Sequence, residues 1–167
     1  ATLALLLSQQ KQATQAGIFA KQSIDLSDTV VSYHPQSVVY YKTRTKVFFT
    51  LAEIDIKYLK NAIESIKTAE ALAPTDAKIA YNAGLIYGQN GQIDKALESL
   101  RHSIVLKPNY REPRIAIVTF LTQIAKDESS PEKKKKLLDE ARETLTYSLK
   151  YIEPNDPQAK ELLKSIK

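Results

Sequence analysis

Along most of this chain apolar residues recur every three or four positions, with charged and amide residues between them. In Ala77 to Tyr110, AKIAYNAGLIYGQNGQIDKALESLRHSIVLKPNY, the residues Ala80, Ala83, Gly84 and Tyr87 fall at i, i+3, i+4 and i+7. Beyond Asn90-Gly91 the same stripe resumes in Ile93, Ala96, Leu97, Leu100 and Ile104. Each half therefore predicts one amphipathic helix with one buried face. Asn-Gly supplies the positive φ of a tight turn. Small residues at Gly84 and Ala96 let two helix backbones approach closely, and Tyr87 fills the gap between them. The unit reads as a helical hairpin closed by Pro108.

One hairpin cannot bury its apolar face alone, so the pattern should recur on both sides. Pro35, Pro74, Pro108 and Pro154 act as a ruler with spacings of 39, 34 and 46 residues. Counting from each proline, Gly84 and Tyr87 correspond to Thr45 and Phe48 upstream and to Val118 and Leu121 downstream. In the second helix of each pair, Ala62, Ile66 and Ala69 correspond to Ala96, Leu100 and Ser103, and the nearest match before Pro154 is Ala141, Leu145 and Ser148, one residue out of step. The longer periods predict insertions between the two helices of a pair, one around TLAEIDIKYL and one in AKDESSPEKKKK, where helical periodicity lapses. Ser130-Pro131 and Asp156-Pro157 each read as an N-cap followed by a first helical proline. Ala159, Leu162, Leu163 and Ile166 form the stripe of a last, capping helix.

The 34-residue unit resembles the tetratricopeptide repeat, whose small residue, aromatic, alanine and closing proline it carries at the right spacing. That resemblance implies an all-α fold, a right-handed superhelical solenoid of about three helix pairs. The expected organisation is one domain over 1–167: degenerate N-terminal helices in 1–35, repeats over 36–74, 75–108 and 109–154, and a cap over 155–167. A looser resemblance covers most of the chain. The order of YYKTRTKVFFTLAEIDIKYLKNAI, LKPNYREPR and LKYIEPNDPQAKELL is similar to the soluble C-terminal repeat region of bacterial O-antigen ligase or polymerase-like glycan enzymes. It implies an extracytoplasmic module beside a membrane enzyme, with the catalytic groups outside these residues.

Composition agrees with a folded helical domain, at 43% hydrophobic and 26% charged residues. With no cysteine there is no disulfide and no thiolate metal site. No methionine occurs either, even at the start, which suggests a processed protein or a segment of a larger one. ATLALLL is far shorter than the roughly 20 residues needed to span a bilayer and reads as a core helix. Were its outer face uncapped, self-association would occur there. The net charge of +5 is mild and densest at Lys133 to Lys136, read as a solvated helix face with i, i+4 partners in Glu132, Asp139 and Glu140.

Chemistry is sparse. His34 and His102 are the two histidines, and neither has a histidine or carboxylate at i+3 or i+4, so structural or solvent-exposed roles are expected for both. Asp25 and Asp28 read as surface or capping carboxylates. Gly88 to Gly91 lacks the Lys-Ser or Lys-Thr of a phosphate loop and is read as the hairpin turn. Tyr40, Tyr41, Tyr87, Tyr147 and Tyr151 could offer a stacking platform for single strands, but they fall on core stripes. The expected protein is not an enzyme and uses no cofactor or metal. Its expected role is a scaffold for a protein or peptide partner, with a nucleic-acid or acidic-ligand binding repeat protein as the alternative and compartment undetermined.

Carrying over the family's geometry, in which the first helix of each pair lines a concave groove, assigns the groove to three sets of residues. They are Val39, Lys42, Lys46 and Phe49; then Lys78, Tyr81, Asn82, Leu85 and Gln89; then Glu112, Ile115, Thr119 and Gln123. The branch of the family that clamps a C-terminal carboxylate uses basic residues where this chain has Glu112 and Ala116. An acid in that place argues against a carboxylate clamp here.

Overall fold

The computed structural model describes residues 1–166. Among them lie nine α-helices, one 3-10 turn and no strand. They are α1 (Thr2–Gln9), α2 (Ala13–Tyr33), α3 (Val38–Ala52), α4 (Leu59–Leu72), α5 (Ala77–Gln89), α6 (Ile93–Leu106), α7 (Arg111–Asp127), α8 (Pro131–Tyr151) and α9 (Pro157–Ser165), with the 3-10 turn at Ile56–Tyr58. The chain forms two compact units, Ala1–Ile86 and Tyr87 onward, with the division inside α5.

In the first unit α1 packs on α2, α2 on α3 and α3 on α4. Ala4, Ala20 and Leu51 form one core cluster there, flanked by Ile24, Val47 and Tyr58. In the second unit α6 packs on α7, α7 on α8 and α8 on α9. The matched positions are buried in both, including the set one residue out of step with Pro154. Thr45 and Phe48 are buried, as are Val118 and Leu121, and every residue of the three matched second-helix sets, from Ala62 to Ser148, is buried.

Helix ends follow local chemistry. Gly91 takes φ 72, its N–H donates to the Gly88 carbonyl, and the Gln92 N–H donates to Tyr87. This pair of bonds is a Schellman cap. The α1 to α2 connection repeats it, with Lys11 N–H donating to Ser8 and Gln12 N–H to Leu7. There the left-handed position is filled by Lys11 at φ 60 rather than by glycine. Ser130 accepts from the Lys133 N–H, and Asp156 accepts from the Gln158 and Ala159 N–H groups, as N-caps.

Three expectations are corrected. The third period does not hold its extra residues as an insertion between helices. Only residues 128–130 separate α7 from α8, and the excess lengthens the helices to 17 and 21 residues, against 13 and 14 in α5 and α6. Lys and Glu are strong helix formers, so the segment stays helical although its apolar stripe lapses. Tyr147 and Tyr151 are not core residues but 41% and 62% exposed. Their rings lie 4.9 Å apart at a tilt of 50°, with the Arg114 guanidinium 4.3 Å from the Tyr147 ring. Of the three charge pairs expected on α8 only Glu132 with Lys136 forms, at 3.3 Å. Asp139 instead meets Arg142 of its own helix at 2.9 Å, and Glu140 meets Arg101 of α6 at 2.7 Å.

Candidate functional site

The first helix of a pair buries one stripe against its partner and leaves the adjacent stripe open. On α3 the buried stripe is Thr45, Phe48 and Ala52, and the neighbouring stripe, Val39, Lys42, Lys46 and Phe49, forms one wall of a concave cavity of about 620 Å³. The facing wall is Asn82, Leu85 and Ile86 of α5, with Ile66 of α4 at the base. Ile66 and Ile86 are almost wholly buried and make the floor apolar. Thr43 and Thr45 also line it, but their hydroxyls donate to the Val39 and Tyr41 carbonyls of their own helix.

One lysine of the cavity also holds the fold. Lys42 Nζ donates to Asp76 at 3.0 Å. Asp76 in turn accepts from the Lys78 N–H at 2.8 Å and the Ile79 N–H at 3.3 Å, at the start of α5. Burial pushes the Asp76 carboxyl up, but the bonds from Lys42, Lys78 and Ile79 outweigh it and hold the group below the usual aspartate range. The arrangement recurs in the second unit. Arg111 grips the N-cap Asp156 of α9 through Nε at 2.6 Å and Nη2 at 2.8 Å. In each case a base on one first helix anchors the N-cap carboxylate of a later one, and each carboxylate stands two residues after a ruler proline.

A second cavity, of about 600 Å³, opens between α7, α8 and α9. Thr119 and Thr122 stand there at the same distance from Pro108 as Lys46 and Phe49 do from Pro35. Leu162, Ser165 and Ile166 stand at the same distance from Pro154 as Asn82, Leu85 and Ile86 do from Pro74. The two cavities are thus repeat-related features, one in each unit.

The expected groove residues divide accordingly. Val39, Lys42, Lys46, Phe49, Asn82 and Leu85 come together in the first cavity, and Thr119 and Gln123 line the second. Lys78 is exposed and Tyr81 half-buried, and neither lines the first cavity. Gln89 and Glu112 are exposed at helix ends. Ile115 is only 8% exposed, since α7 buries a face wide enough to take in Pro113, Ile115 and Ile117 together. Sequence reasoning missed Ile66 and Ile86 as the cavity floor, although Ile66 fell in the matched second-helix series.

Elsewhere, His34 lies 5.2 Å from the Tyr40 ring, and Asp28 pairs with Arg44. No group of three or more His, Cys, Asp or Glu residues is placed to hold a metal ion among the described residues. None of the helices described is long and apolar enough to cross a membrane.

The sequence profile of the tetratricopeptide repeat matches residues 77–110. Comparison with curated protein sequences finds no match. Among solved structures, the chain is similar to a thermophilic TPR protein of Thermus thermophilus, with TM-score 0.67 and 21% identity over 96% of this chain and 84% of that one. It is also similar to MamA, with TM-score 0.55 and 18% identity over 95% of this chain and 89% of that one. At such identities these likenesses concern the fold, and they lend no support to the resemblance to glycan ligases. Residues 77–110 thus match the tetratricopeptide repeat, in a chain with the fold of an all-α helical-repeat protein.

Proposed function

We propose that the protein is a non-catalytic interaction scaffold and that the cavity between α3 and α5 receives an extended peptide segment of a partner protein. The observation that carries this reading is the juxtaposition of Phe49 and Leu85 over a buried apolar floor, with Lys46 and Asn82 exposed beside them. Apolar side chains that enter such a cavity lose water-exposed surface, and a few placed polar groups fix the direction of the chain. Helical repeats supply that combination on rigid elements without any catalytic machinery.

The test is a peptide-binding measurement on the intact chain and on the Phe49→Asp and Leu85→Asp variants. Each variant places an unpaired carboxylate at the apolar wall, and each is expected to abolish binding while far-UV circular dichroism shows unchanged helix content. Binding retained by both folded variants refutes the assignment of the cavity.

A further inference from the structure

The cavity between α3 and α5 carries charge of one sign. Lys42 and Lys46 stand one helical turn apart on its α3 wall, and no carboxylate is among its lining residues. The two lysines differ in state. Lys42 is committed to Asp76, whereas Lys46 is exposed and makes no hydrogen bond or ion pair among the described residues. With the threonine hydrogens already donated to the carbonyls of α3, the donors open to a ligand are the Lys46 ammonium, the Asn82 amide and the Lys42 N–H bonds not spent on Asp76. A site with a surplus of donors, one fixed cation and an apolar floor is complementary to an anion with an apolar neighbour.

Resting on the peptide-receiving reading above, we propose that the segment bound here is an internal acidic one, with an Asp or Glu beside a large apolar residue. The carboxylate pairs with Lys46, the apolar side chain enters between Phe49 and Leu85, and the Asn82 amide bonds the peptide backbone. Lys42 already has a carboxylate partner in Asp76, which leaves Lys46 as the lysine of this wall with no carboxylate partner among the described residues.

The experiment selects random peptides displayed on phage, fused so that they carry no free C-terminus, against the full chain and against Lys46→Glu. Wild type is expected to enrich sequences with an acid next to a large apolar residue, and Lys46→Glu to enrich Lys or Arg at that place. A synthetic peptide from the wild-type selection should bind Lys46→Glu about tenfold more weakly or worse, the scale of one charge pair turned repulsive. Enrichment without an acidic position, unchanged by Lys46→Glu but lost in Phe49→Asp, overturns this inference and leaves the peptide-receiving cavity standing. Enrichment that survives Phe49→Asp, or none at all on the folded chain, overturns both.

Discussion

Asp156 is the most exacting test of how the second unit is held together. Its side chain is fully buried and receives both Arg111 bonds and two N-cap bonds from the first turn of α9. Asp156→Asn keeps an acceptor for the cap but removes the charge. A hydrogen bond to a charged group contributes about 1.5 to 3 kcal/mol. Because the Arg111 side chain is 26% exposed and can regain water, the loss should fall in the lower part of that range, about 2 kcal/mol. Asp156→Ala also removes the cap and should cost about 1 kcal/mol more. Hydrogen exchange of the α9 amides reads this locally, and urea unfolding reads it globally. Faster exchange in residues 157–165 with α4 unaffected is the expected pattern. Exchange and urea midpoint both unchanged in Asp156→Ala would refute the view that this pair fastens α9.

The same group sets a pH dependence. The Arg111 bond, opposed by burial and helped by the Ala159 and Gln158 N–H groups, holds the Asp156 carboxyl below its usual range. A depressed folded value means that its stabilisation is fully present above the unfolded value of about 3.9. The stabilisation is lost as pH falls through the lower folded value, so α9 should lose protection only under acid, and Asp156→Asn should remove that dependence.

Further expectations concern backbone and binding. At Gly88 a Cβ would collide with the Phe120 ring. Gly88→Ala should therefore lower stability by about 1 to 2 kcal/mol, overpacking exceeding the gain in helix propensity, and Phe120→Leu in the same chain should restore part of the thermal midpoint. Lys11 holds a left-handed conformation suited to glycine. Lys11→Gly should raise stability by about 0.5 to 1 kcal/mol in urea unfolding, the relief of strain exceeding the extra freedom of the unfolded chain. Peptide affinity in wild type should fall as salt rises, and Lys46→Gln should flatten that dependence.

Much of the architecture was legible in the chain. Local rules suffice for the hairpin at Ala77 to Tyr110, the Ser130 and Asp156 caps, and the buried second-helix residues. They rest on helical spacing and turn chemistry within a few residues. The stripe of Val39, Lys42, Lys46 and Phe49 came instead from the family resemblance, which assigns the first helix of each pair to the groove, and those four residues line one cavity. What stayed hidden depends on distant partners. Lys42 meets Asp76 and Arg111 meets Asp156 only because helix packing brings together residues 34 and 45 positions apart. The visible trace of both is an Asp two residues after a ruler proline. The long α7 and α8 were missed because propensity sustained helix where the apolar pattern stopped. Tyr147 and Tyr151 were misplaced because α8, unlike α5, leaves that stripe uncovered.

Amide chemical-shift mapping of the labelled chain, titrated with a peptide selected on it, locates the bound peptide residue by residue. The largest shifts are expected at Val39 to Phe49 of α3 and at Asn82 to Ile86 of α5, all lost in Phe49→Asp. Saturable binding whose shifts lie on other helices, with those two segments unmoved, would contradict a peptide site in this cavity.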